Sequence, residues 1–139
     1  MGESSSHIRL VEQLSSWILH QLLNGDDGYM MIDHPNSRMT ARPPKIGGFI
    51  PDVYVPCGRR SGLIIAEAKT GRDLETKHSL EQFNAFLGRC SEVEGAMFVL
   101  AVPWDMVRLA EAIIRELVNR VDAEGAHKVT TKVLEKLSG

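Results

Sequence analysis

The run Gly62-Leu63-Ile64-Ile65-Ala66-Glu67-Ala68-Lys69 limits the folds open to this chain more than any other segment. Its first residues are apolar one after another, and successive side chains of a strand point to opposite faces, so both faces must be covered. Such a strand belongs in the middle of a sheet, with one layer above it and one below. Charge then arrives abruptly: Glu67 and Lys69 stand two residues apart and therefore on one face. A buried strand that ends in charge is expected to end at a site.

The rest of the chain supplies the covering layers. Residues from about Ser6 to Leu23 read as a helix, with Ser4, Ser5 or Ser6 as N-cap and Asn24-Gly25 as its stop. At about 100° per residue from Ile8, the residues Val11, Leu14, Ile18, Leu19, Leu22 and Leu23 fall in one arc from about −120° to about 60°. Glu12, at about 40°, lies inside that arc, where a carboxylate needs a partner or a cation. Tyr29 to Asp33 reads as a short strand, and Phe49 to Val55 as another, joined to the central strand by the hairpin-like loop Pro56 to Gly62. Between these first two strands, His34 to Gly48 holds three prolines, two glycines and no acid, which predicts a long surface loop.

A helix from about Asp73 or Ser79 to Leu87 follows, then the continuous apolar strand Ala96 to Val102, closed by Pro103. Trp104 to about Val121 carries an amphipathic stripe that fits either the core or a subunit interface, and His127 to Leu137 fits a short strand or a helix. Trp17 and Trp104 are expected to pack rather than to stack on bases. The order α-β-β-β-α-β, followed by a C-terminal helix, predicts an α/β three-layer sandwich. Its four-stranded mixed sheet combines an antiparallel meander with a parallel crossover, and helices flank both faces. One domain spanning residues 1–139 is expected at this length, with a core large enough to fold without metal or disulfide staples.

Cys57 and Cys90 belong to no ligand spacing, so any metal is expected to serve chemistry rather than folding. No apolar run approaches a membrane span, and the first six residues lack the features of a signal peptide; a cytoplasmic protein is the expectation. The net charge is −2, but Asn36 to Leu80 holds eight basic and four acidic residues, a local excess of +4. Such an excess attracts polyanions. Arg38, Arg42, Lys45 and Arg72 are the expected nucleic-acid contacts.

Asp52 and Glu67 are fifteen residues apart on consecutive strands. Paired as a hairpin, those strands bring both carboxylates within reach of one hard cation, with the Ala68 carbonyl as a further oxygen donor. Lys69 shares the face of Glu67, so its ammonium approaches the same point. Cutting a phosphodiester needs an activated water and neutralisation of the transition-state charge, and this set of groups suits both needs.

The pattern Pro51-Asp52 followed by Glu67-Ala68-Lys69 resembles the PD-(D/E)XK nuclease superfamily over roughly residues 6–102. The resemblance implies that Asp52, Glu67 and the Ala68 carbonyl bind Mg²⁺ or Mn²⁺, that Glu12 on the first helix joins them, and that Lys69 is catalytic. Gln82-Phe83-Asn84-Ala85-Phe86 resembles the QxxxY motif of the exonuclease-like branch, with Phe86 in place of tyrosine, and makes Gln82 a site residue. Ser79-x-x-Gln82 also fits a capping box. Length and motif wording resemble archaeal-type Holliday junction resolvases, which implies a homodimeric endonuclease acting on branched DNA. The rival expectation is an inactive nuclease-fold module that binds DNA or protein.

Overall fold

A computed structural model describes residues 5–25, 29–33, 42–58, 62–71, 74–125 and 127–135. Helix α1 (Ser5–Gln21) precedes strands β1 (Met31–Ile32), β2 (Val53–Val55) and β3 (Ile64–Ala68). Helix α2 (Lys77–Ser91), strand β4 (Met97–Val102), helix α3 (Val107–Glu124) and strand β5 (Thr130–Glu135) follow. The five strands lie in the order β1-β2-β3-β4-β5. The first three are antiparallel, whereas β4 runs parallel to β3 and β5 parallel to β4. The meander and the helical crossover predicted from sequence are both present.

Alternation in the strands explains the three layers. Ile64, Ala66 and Ala68 of β3, with Val99 and Ala101 of β4, pack with Leu10, Val11, Leu14 and Ile18 of α1. The opposite side chains, Leu63, Ile65, Phe98, Leu100 and Val102, pack with Phe83, Phe86 and Leu87 of α2 and Ala110, Ile114 and Leu117 of α3. Phe83 and Phe86 place their rings 6.1 and 6.3 Å from Phe98. Each fully buried side chain of this kind contributes about 2–3 kcal/mol of transfer free energy. All five residues of β3 are buried, as a central strand requires.

Several expectations change in the fold. The sheet has a fifth strand, because the segment whose pattern fits either a helix or a strand forms β5, which covers the second edge of β4. The strand expected from Phe49 shortens to β2: Ile46 and Phe49 exchange two backbone hydrogen bonds in a tight turn, and Pro51 has no N–H to give to a ladder. Gly47 and Gly48 both have positive φ, as a two-residue primed turn demands. The stripe on α3 is spent in the core, with Ala110, Ile114 and Leu117 buried. Trp104 does not pack, being 73% exposed on a 3-10 turn (Trp104–Met106). Helix α1 ends at Gln21, two residues before the expected Leu23, and Asn24 and Gly25 at the expected stop both have positive φ. No helix among the described residues is long and apolar enough to cross a membrane.

Candidate functional site: an acidic centre at the end of β3

The antiparallel register pairs Val53 with Ala66, which sets Asp52 opposite Glu67. Backbone and side chain then lock the two together. The Asp52 N–H donates to Glu67 Oε1 at 3.0 Å, the Ala68 N–H donates to Asp52 Oδ2 at 2.8 Å, and the Asp52 carbonyl accepts from Asp33 N–H at 2.9 Å. Both carboxylates are buried, Asp52 at 5% and Glu67 at 3% exposure. Charged groups this deep are normally tied to hydrogen bonds or cations.

Lys69 leaves the end of β3 on the Glu67 side. Its backbone N–H continues the ladder to the Ala101 carbonyl, and its Nζ lies 3.5 Å from Glu67 Oε2 and donates to Gln82 Oε1 at 2.5 Å. Gln82 is therefore part of the centre, facing inward from α2. The capping-box alternative fails, because Thr76 caps α2 with its Oγ1 accepting from Ser79 N–H at 3.1 Å. Phe86, one turn beyond Gln82, is fully buried against Phe98 and takes no part.

The residue that α1 sends to this centre is His7. Its Nε2 lies 3.3 Å from Asp52 Oδ2 and 3.1 Å from the Ala68 carbonyl oxygen. Both neighbours are acceptors, so in this arrangement Nε2 carries the proton. Ala66 and Ala68, the small residues on that face of β3, let α1 approach closely enough for the contact. Glu12 does not take the position expected of it. It is exposed, on a side of α1 that lines an open groove with Arg9, Ser16, Trp17 and His20.

The helical phase accounts for the exchange. The buried residues Leu10, Val11, Leu14 and Ile18 centre near −105° on the same wheel, so Glu12 stands about 145° away and His7 at about −100° falls in the middle. An arc that includes Leu19, Leu22 and Leu23 is centred nearer Glu12, yet α1 ends at Gln21 and Leu19 is only half-buried. The series His7, Leu10, Val11, Leu14, Ile18 was a signal present in the sequence.

Burial is the largest influence on Glu67 and pushes its carboxyl well above the ordinary range; the Asp52 charge adds to this, and the Lys69 ammonium opposes it. A cation at the centre would favour the ionised form of both carboxylates. Among the described residues, no group of three or more His, Cys, Asp and Glu side chains forms a ready metal cage. The Ala68 carbonyl is the further oxygen at this point, 3.1 Å from His7 Nε2. The contacts of 3.1 and 3.3 Å from His7 Nε2 are hydrogen bonds of the metal-free centre, and for the ring to hold a cation through Nε2 its proton would have to sit on Nδ1. The carboxylate and carbonyl oxygens suit Mg²⁺ or Mn²⁺, and an imidazole beside them favours Mn²⁺ of the two.

Of the basic residues expected at nucleic acid, Arg38 and Arg72 lie outside the described residues. Arg42 is exposed and donates to Asp33 Oδ1 at 2.9 Å, and Lys45 is exposed beside α2. No protein-family model, no curated protein and no solved structure matches the chain.

Proposed function

We propose that the chain is a metal-dependent deoxyribonuclease in which His7, Asp52, Glu67 and the Ala68 carbonyl hold one Mg²⁺ or Mn²⁺ and Lys69 assists hydrolysis. The single observation that carries this reading is the meeting of two buried carboxylates, a lysine ammonium and an imidazole at the end of one strand. A divalent cation bound there supplies positive charge to a phosphate oxygen and acidifies a water. The protein's own groups do the rest. Lys69, steered by Gln82, orients the attacking water and neutralises charge on the phosphorus oxygens as the transition state forms. Asp52 and Glu67 stay fixed by backbone donors, so little reorganisation is needed.

The finer form of the proposal is a homodimeric endonuclease acting on branched DNA. Its test is cleavage of labelled four-way, linear duplex and single-stranded DNA with Mg²⁺ or Mn²⁺, read beside DNA binding. Wild type should cut at least one substrate, and Lys69→Ala should cut about 10²–10³-fold more slowly while binding it as well. Binding by both proteins with cutting by neither would identify a non-catalytic nucleic-acid module.

A further inference from the structure

A groove of about 660 Å³ lies between the Ile46–Phe49 turn and the outer side of α2, and is lined by Lys45, Tyr54, Asn84, Gly88 and Arg89. Two lines of sequence lead into it from the centre. Tyr54 follows Asp52 by two residues on one face of β2, about 7 Å along the strand. On α2, Gln82, Ala85 and Arg89 follow the i, i+3, i+7 spacing of one helix side, about 10 Å from end to end. At about 3.4 Å per stacked nucleotide, that length takes two or three.

The groove is built rather than incidental. Ile46 and Phe49 are hydrogen-bonded in both directions, and a Cβ on Gly47, whose φ is +60°, would stand 2.8 Å from the Ala85 Cβ. The turn therefore sits directly on α2, and the walls exist without a ligand. Its lining brings two cations against one acid, Glu92, which faces Arg89 at 3.9 Å. Ammonium and guanidinium suit backbone phosphates, and a partly buried phenol ring offers a flat surface to a base. We infer that this groove binds the single strand of nucleic acid flanking the phosphate to be cut, with Lys45 and Arg89 on its phosphates and Tyr54 against a base. Its orientation toward the centre rests on the nuclease reading; the binding itself does not.

Gly88 makes a clean test, because a Cβ there meets nothing within 4 Å. Gly88→Leu extends a side chain into the groove from a Cβ that meets nothing, and losing a mid-helix glycine should hold or raise the melting temperature. Affinity for a short fluorescein-labelled oligothymidylate, read by anisotropy in EDTA so that nothing is cut, should fall about tenfold or more in Gly88→Leu and in Lys45→Ala/Arg89→Ala, and stay unchanged in Gly88→Ala. The double variant should also flatten the slope of log affinity against log salt by about 1.4, or 0.7 per phosphate contact. Wild-type affinity in both groove variants, or no oligothymidylate binding by wild type, overturns the inference. So does an acidic peptide that binds with the same sensitivity to Gly88→Leu when the oligonucleotide does not. Binding with the predicted losses but no cleavage with either metal refutes only the nuclease reading.

Discussion

Replacing Glu67 with glutamine should make the metal-free protein more stable, and increasingly so as pH rises. Glutamine keeps the shape and can still accept the Asp52 N–H now held at 3.0 Å. In the unfolded chain Glu67 loses its proton around its ordinary value of 4.5, whereas in the fold burial and the neighbouring Asp52 charge keep the proton on to higher pH. Between those two points the native state binds more protons than the unfolded one, so wild-type stability falls by about 1.4 kcal/mol per pH unit on account of this group. Glutamine has no such dependence. For a domain of this size each kcal/mol moves the melting temperature by about 3–5 °C, so the advantage of Glu67→Gln should grow by about 4–7 °C per pH unit from pH 5 upward and level off at the native pKa. Circular-dichroism melts of both proteins in EDTA at pH 5, 6, 7 and 8 measure it directly. A difference that stays flat or shrinks with rising pH would refute the assignment of a buried, proton-retaining carboxylate. Adding Mn²⁺ should reverse the ranking at pH 8, because the cation needs the ionised form that only wild type has.

Three further outcomes are expected. His7→Ala should weaken Mn²⁺ binding, read by calorimetry, by about 10–100-fold, while Glu12→Ala should bind it as wild type does; the opposite ranking would restore Glu12 as the ligand. Phe98→Ala should cost about 3–5 kcal/mol in urea unfolding, because Phe98 is fully buried against Phe83 and Phe86. Cys90 is buried with its thiol pushed up to about 12, and Cys57 is exposed, so a disulfide-exchange reagent should react with Cys57 alone in the native protein and with both thiols in denaturant.

The local pattern of the chain was enough to place Asp52 and Glu67 together. A strand apolar on both faces must be central, a short loop makes its predecessor an antiparallel neighbour, and the change from apolar to charged marks where the strand leaves the core. Those arguments use neighbours in sequence, as do those for the layer order and for the turn at Asn24-Gly25 after α1. The residues that needed the tertiary structure are those whose roles depend on a surface elsewhere in the chain. His7 rather than Glu12 enters the centre because the buried face of α1 is set by where β3 and β4 receive it. Gln82 reaches Lys69, instead of capping the helix, because α2 is capped by Thr76, three residues ahead of Ser79. The segment Thr130–Glu135 is a strand because β4 offers it an unpaired edge, and its polar sequence alone allowed either form. The groove along α2 likewise exists because Gly47 rests on Ala85, a contact between residues distant in sequence whose geometry follows only once the sheet and α2 are packed.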